Sequence, residues 1–174
     1  AWEITTGDED VIVAVIDQGI NRNHPDLTNL HPLKYDVLPN PLDTLYGTHG
    51  MKCAGVIGAT INNSIGIAGI APGCRIMDVR YPLGHSGVLG VSGKLSDCID
   101  WAWNNGAWVI SNSWTGGATD LVKEAIDDAI DKGRNGLGCV VVFASGNNNL
   151  SSIIFIKTFK IKVVKITTFL FKNI

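Results

Sequence analysis

The sequence predicts an α/β fold built on a mainly parallel sheet, and three observations lead to that prediction. Short continuous apolar runs, rich in β-branched residues, recur along the chain and are typical of strands buried on both faces. Stretches with apolar residues at three-to-four spacing separate these runs and predict helices. Strands that alternate with helices form βαβ crossovers, which place neighbouring strands parallel.

The first predicted strand is the run VIVAVI at residues 11–16, which is followed directly by Asp17. The other predicted strands are the runs at residues 74–79, 108–111 and 139–144. The carboxyl ends of parallel strands lie at one edge of a sheet, where functional groups gather. Asp17 and the polar, Gly-rich segments 112–117 and 145–147 are therefore expected to lie together at that edge.

Two helices are predicted between the later strands. The first has a stripe of apolar and small residues at Leu95, Cys98, Ile99, Ala102 and Gly106. The second repeats this spacing at Leu121, Val122, Ala125, Ile126, Ala129 and Ile130. Asp120 is expected to cap the start of the second helix, and Gly133 is expected to end it.

Composition divides the chain near residue 150. The 174 residues carry a net charge of −2, but residues 151–174 contain five of the 14 basic residues and none of the 16 acidic ones. The first 150 residues therefore carry a net charge of −7. We predict a partial domain over residues 1–149 and an atypical tail rich in Lys, Ile and Phe over residues 150–174. These are residues of A/T-rich codons, which indicates out-of-frame translation; an amphipathic strand is the alternative.

The same features exclude several classes of protein. The negative charge argues against nucleic acid as the main partner. The five scattered lysines of the tail argue against a membrane span. No signal-peptide pattern opens the chain. The cysteines lack zinc-like spacing, so two disulfides and buried free thiols both stay open for Cys53, Cys74, Cys98 and Cys139.

Five blocks of sequence, in order, resemble the subtilisin-like (S8) serine peptidases. VIVAVIDQGINRNHPDL resembles the first catalytic block, GTHGMKCAGVIGA the second, and NNSIGIAGIAP the stretch after it. VISNSWTGG is similar to the substrate-binding strand and VVVFASGN to the segment that carries the oxyanion Asn. The resemblance covers about residues 1–149 and implies a partial subtilisin-like three-layer fold. The activity that it implies is that of a serine-type endopeptidase.

The resemblance implies catalytic roles for Asp17, His49 and Asn147. As in subtilisin, the standard example of this arrangement, Asp17 would orient the imidazole and His49 would act as general base and then acid. Asn147 would donate its side-chain amide to the oxyanion.

Substrate contacts are implied as well. Ser113, Trp114 and Gly116 would pair with an extended peptide or protein substrate and wall its specificity pocket. The family more often has Gly where this chain has Thr115, whose side chain is expected to crowd the peptide backbone. It also has Ser or Thr in place of Gln18, which is expected to alter hydrogen bonding around Asp17.

The family's nucleophile is missing from the 174 residues. It lies in a Gly-Thr-Ser-Met-Ala-like block tens of residues after the oxyanion Asn, and only Ser151 and Ser152 follow Asn147 here. We therefore expect this chain to be inactive as it stands. A non-catalytic peptide-binding module is the alternative. A doubly wound nucleotide-binding or phospho-acceptor domain is disfavoured, because no GxGxxG or P-loop motif follows a strand.

The resemblance implies no cofactor for the reaction but allows a structural Ca²⁺. The candidate ligands are the side chains of Asp26 and Asn63 and the carbonyls of Ile61, Ile65 and Ile67, since oxygen ligands suit this ion. An Asx-rich turn is the alternative for the same residues. An extracellular or cell-envelope location of the parent protein is also implied by the resemblance.

Overall fold

The structure is a computed structural model that describes residues 2–37, 48–81, 91–114 and 119–144, with backbone alone for residues 91–93. A five-stranded sheet, parallel in all its described pairings, forms its centre. The strands are β1 (Ile12–Asp17), β2 (Leu30–Asp36), β3 (Arg75–Arg80), β4 (Val109–Asn112) and β5 (Val140–Phe143). They lie side by side in the order β2-β3-β1-β4-β5. The predicted α/β fold with a mainly parallel sheet is confirmed.

Helices cover both faces of the sheet and make three layers. The helices are α1 (Thr48–Gly58), α2 (Val91–Asn104) and α3 (Asp120–Gly136). Ala14 and Ile16 of β1 belong to the core that α2 and α3 cover, whereas Val13 and Val15 belong to the core on the side of α1. Alternate side chains of one strand therefore fill two separate cores, which is why the run VIVAVI lacks polar residues.

The four predicted strands are all present, with boundaries within one residue of those expected. β2 was not predicted, because its sequence LHPLKYD contains a proline and several polar residues. In the described sheet β2 lies at one edge, and its pairing with β3 shifts register between Leu30 and Lys34. An edge strand tolerates Pro32, because one of its sides needs no ladder hydrogen bonds.

The ends of α3 differ in part from expectation. Thr119, and not Asp120, is the N-cap, and its hydroxyl accepts the Val122 N–H at 3.4 Å. Asp120 is the first helical residue, where a carboxylate interacts favourably with the helix dipole. Gly133 ends the regular helix as expected, since its ψ of 152° is not helical. A Cβ on Gly133 would clash with the Cys139 sulfur, so a larger residue would not fit there.

All four cysteines are free thiols, and Cys74, Cys98 and Cys139 are buried. The sequence left disulfides and free thiols open, and the structure contains free thiols. Burial raises the pKa of Cys139 to about 11 and raises that of Cys98 further. In the described part of the chain, no helix combines the length and apolarity that crossing a membrane requires.

Candidate functional site

Asp17 and His49 meet at the carboxyl edge of the sheet. Asp17 is the last residue of β1, and His49 is the second residue of α1. Nδ1 of His49 lies 2.9 Å from both Oδ1 and Oδ2 of Asp17. The Asp17 side chain is 1% exposed and that of His49 is 47% exposed. A buried carboxylate thus holds one ring nitrogen of a half-exposed imidazole, and Nε2 is the ring nitrogen that the carboxylate does not engage.

Two glycines allow α1 to approach β1 this closely. A Cβ on Gly50 would lie 2.5 Å from the Gly19 carbonyl oxygen and 3.3 Å from the Asp17 Cβ. Gly19 itself has a φ of +94°, which favours glycine. The segments DQG and THG therefore need their glycines for contact between the strand end and the helix start.

Backbone donors fix the position of Asp17. Its Oδ1 accepts the N–H of Gln18 at 2.7 Å, and its carbonyl oxygen accepts the N–H of Tyr81 at 2.7 Å. The carbonyl oxygen of Ile16, one residue earlier, accepts the indole N–H of Trp114 at 2.7 Å. Because Gln18 donates its backbone N–H to the carboxylate, this contact does not depend on the side chain at position 18.

Cys53 completes the polar cluster, and it was not predicted. It follows His49 by four residues on α1, and its sulfur lies 3.8 Å from Nδ1 of His49. That i,i+4 spacing is the sequence feature that could have identified it. Within the described ranges, Asp17, His49 and Cys53 form a group whose ligand atoms all lie within 4.8 Å of one another, which is close enough to share a metal ion. Burial raises the pKa of the Cys53 thiol.

Ser113 and Trp114 follow β4 and reach opposite faces of the sheet. The Ser113 side chain lies near the thiol of Cys53, on the side of α1, and opposes the rise in the pKa of that thiol. Trp114 packs against the core beneath α2 and α3. Its ring stacks on Tyr81 at 5.5 Å and meets Phe143 edge-on at 5.6 Å, measured between ring centroids. Of these two predicted substrate residues, the structure thus brings the Ser113 side chain to the Asp17–His49 pair and directs the indole away from it.

Several predicted site residues lie outside the described residues. They are Asn147, Gly116 and Thr115, together with Ser151 and Ser152 and the whole tail. The oxyanion role of Asn147 and the substrate role of Gly116 therefore stay predictions.

The proposed calcium ligands form a hydrogen-bonded turn. Nδ2 of Asn63 donates to Oδ1 of Asp26 at 2.8 Å, and the Ile67 N–H donates to Oδ2 at 3.1 Å. The Ile65 N–H donates to Oδ1 of Asn63 at 3.1 Å, which turns the amide NH₂ toward Asp26. These donors, Asn63 above all, lower the pKa of Asp26.

As described, this turn presents N–H groups and not oxygens to the Asp26 carboxylate. Calcium takes oxygen ligands, and both carboxylate oxygens of Asp26 already accept N–H donors. A calcium site that uses the side-chain oxygen of Asn63 would require the Asn63 amide to turn over. Calcium binding by these residues and by the carbonyl of Ile61 is therefore left to experiment.

Known proteins are similar to this chain in sequence and in fold. The family model for subtilases (peptidase S8) matches residues 8–164. The thermophilic serine proteinase of Bacillus sp. (strain AK1) is 37% identical over 153 residues, which are 87% of this chain and 37% of that protein. Thermitase of Thermoactinomyces vulgaris is 38% identical over 149 residues, which are 84% of this chain and 50% of thermitase.

A solved structure agrees with these sequence matches. The nisin leader peptidase NisP from Lactococcus lactis has a TM-score of 0.67 at 28% identity, over 91% of this chain and 51% of that one. The chain therefore spans about half, or less, of the length of the relatives that it matches.

Proposed function

Since this chain belongs to the subtilase family, we propose that it is part of a serine-type endopeptidase domain that hydrolyses peptide bonds. One observation carries the proposal: a buried carboxylate, Asp17, lies 2.9 Å from one nitrogen of a half-exposed imidazole, His49. This is the geometry that a base needs when it takes a proton from a hydroxyl nucleophile.

The chemistry follows from the position of each group. The Asp17 carboxylate accepts Nδ1–H of His49, which selects the tautomer with a free lone pair on Nε2. Nε2 takes the proton of the attacking hydroxyl and later gives it to the leaving amine. Asp17 stabilises the imidazolium that forms in between, and its bond from the Gln18 N–H keeps the carboxylate oriented.

Cys53 is not the nucleophile of this site. Its sulfur lies nearest to Nδ1 of His49, which already bonds with Asp17. Burial raises the pKa of its thiol, whereas a nucleophilic cysteine needs a lowered one. The nucleophile of the proposed reaction is therefore a serine hydroxyl that approaches Nε2 from the exposed side of the imidazole.

The 174-residue chain by itself is proposed to be inactive. Its sequence contains no counterpart of the family's Gly-Thr-Ser block. Without a nucleophile at Nε2, the Asp17–His49 pair has no proton to take, and acyl transfer does not begin.

The proposed substrate is an extended peptide or protein segment that pairs with the chain after β4. Ser113 supports this proposal, because it lies beside Cys53 at the same sheet edge as Asp17 and His49. An extended peptide that adds to this segment would pass in front of the imidazole. Location outside the cell or in its envelope is proposed for the parent protein, and one solved relative is a component of a type VII secretion system.

A non-catalytic peptide-binding module is the second candidate. The segment after β4 and the absence of the serine block favour it. Two measurements on the 174-residue chain test whether it is an active enzyme, which neither candidate predicts. They are cleavage of a fluorogenic peptide and labelling by a serine-directed fluorophosphonate. Cleavage or labelling would overturn the proposed inactivity, and peptide binding without either would favour the module.

Complementation tests the family activity itself. The chain is mixed with, or fused to, the C-terminal half of thermitase, which supplies the serine block. Peptide cleavage is expected, and Asp17→Asn or His49→Ala should lower it by several orders of magnitude. Lys52→Ala, an exposed position on the same helix, is the matched control. Cleavage that survives His49→Ala would rule out the assigned role.

A further inference from the structure

Trp114 joins the segment after β4 to the strand that carries Asp17. Its indole Nε1 donates to the Ile16 carbonyl at 2.7 Å, a contact between residues 98 apart in the chain. The described pairing between β1 and β4 runs only from Val13 and Val109 to Val15 and Ser111. The indole bond therefore continues the connection between the two strands beyond the end of their backbone pairing.

The ring of Trp114 is itself held in place. It stacks on Tyr81 at an interplanar angle of 26° and meets Phe143 at 87°. The backbone N–H of Tyr81 donates to the Asp17 carbonyl. Two consecutive carbonyls, those of Ile16 and Asp17, are thus bonded by two residues whose rings stack on each other.

The residue before the indole reaches the other side of the sheet. Ser113 lies near the Cys53 thiol, which is itself beside His49. The dipeptide Ser113–Trp114 therefore spans the sheet edge, with its hydroxyl beside the polar cluster and its indole bonded behind Asp17. A shift of this dipeptide would change both contacts together.

We propose that Trp114 is a positioning residue that sets the distance between the peptide-pairing segment and the Asp17–His49 pair. The inference rests on the proposed function where it assigns peptide pairing to the segment after β4. The indole does not touch the reacting atoms. It acts through the Ile16 carbonyl, because removing the bond leaves a partly buried indole N–H and its acceptor unsatisfied, which destabilises both.

The test compares two tryptophan variants of the full chain. Trp114→Phe keeps an aromatic ring for the stack and removes the N–H donor. Trp103→Phe is the matched control, because Nε1 of Trp103 also donates, to Oδ1 of Asp100 at 3.0 Å, but on α2. NMR measures the exchange rate of the His49 Nδ1 proton at fixed pH, and fluorescence anisotropy measures the binding of a labelled extended peptide.

Trp114→Phe is expected to speed exchange of the His49 proton and weaken peptide binding, each about fivefold, as the loss of one hydrogen bond implies. Trp103→Phe should change neither. Equal exchange rates and equal affinities in the two variants would overturn the inference, since a purely structural role would lower only the melting temperature. If the wild-type chain binds no peptide, the assignment of peptide pairing to the segment after β4 fails, and the exchange rate still decides the positioning role.

A measurement on the wild-type chain covers the case in which Trp114→Phe does not fold. The indole proton of Trp114 is expected to exchange more slowly than that of Trp2, whose indole donates to the Ile70 carbonyl from an exposed position. Exchange of the Trp114 proton as fast as that of Trp2 would show that the bond to Ile16 is not maintained, and the inference would be wrong.

Discussion

Burial raises the pKa of the Asp78 carboxyl to about 6, although the guanidinium of Arg22 opposes that rise. Asp78 is 4% exposed and lies in β3. Among the described residues, neither its Oδ1 nor Nη1 of Arg22 has a hydrogen-bond partner. The backbone N–H of Ile20 donates to the Asp78 carboxyl. Asp78 therefore contacts the segment that follows Asp17, which also carries Arg22.

The pH dependence of stability follows from Asp78. The folded chain retains the Asp78 proton up to about pH 6, whereas the unfolded chain loses it near the ordinary carboxyl pKa of 3.8. The contribution of Asp78 to the free energy of unfolding is therefore fully present below pH 3.8. It falls as the pH rises toward 6 and is absent above that pH. Asp78→Asn should raise the free energy of unfolding at pH 8 by up to about 3 kcal/mol, from the linkage of pKa to stability.

Denaturant unfolding at pH 4, 6 and 8 checks this prediction. Asp128→Asn, which removes an exposed partner of Lys132, is the control and should have little effect. His31 has the opposite effect on stability. Burial lowers its pKa, so its contribution to the free energy of unfolding is lost as the pH falls. The difference between the wild type and Asp78→Asn isolates Asp78, and a difference that does not grow with pH would contradict the assignment.

Gly50→Ala should destabilise the chain by about 1–3 kcal/mol, the usual cost of overpacking, because the added Cβ would meet the Gly19 carbonyl. Gly55→Ala on the same helix is the control. Its Cβ would lie 3.6 Å from a methyl carbon of Ile67, an ordinary contact. The control should gain up to about 1 kcal/mol from helix propensity. Thermal unfolding measures both, and equal effects would show that the approach of α1 to β1 is not tight.

Calcium should not stabilise the described arrangement of Asp26. Asn63 and Ile67 direct N–H groups, and not oxygens, at the carboxylate, so adding millimolar Ca²⁺ is expected to leave the melting temperature unchanged. Magnesium at the same concentration controls for ionic strength. A calcium-specific rise that Asp26→Asn removes would show that the loop rearranges around the ion.

The thiols should differ in reactivity. Cys53 is partly exposed, whereas Cys98 and Cys139 are buried and have raised pKa values. A small disulfide reagent is expected to modify Cys53 in the folded chain, faster as pH rises because burial raises the pKa of its thiol. Cys98 and Cys139 should react only after unfolding. Mass spectrometry of the modified peptides assigns the sites, and rapid modification of Cys98 in the folded chain would contradict its burial.

Local patterns were enough to predict most of the fold. The runs that form β1, β3, β4 and β5 are apolar because both faces of those strands are covered. Burial on both faces leaves a continuous apolar run that can be recognised in the sequence. β2 could not be recognised, because an edge strand with Pro32 has no such run. Thr119 and Asp120 are both good caps, so only the backbone conformation distinguished them.

The sequence by itself determined the α/β alternation, the family and the expected meeting of Asp17 with His49, because each depends on short motifs whose residues are contiguous. Only the tertiary structure decided what those residues touch from elsewhere in the chain. It brought Cys53 to the imidazole, joined the Trp114 indole to the Ile16 carbonyl and gave Asp26 N–H donors. These contacts join residues from separate elements, and their geometry depends on how strands and helices pack, which no local pattern records.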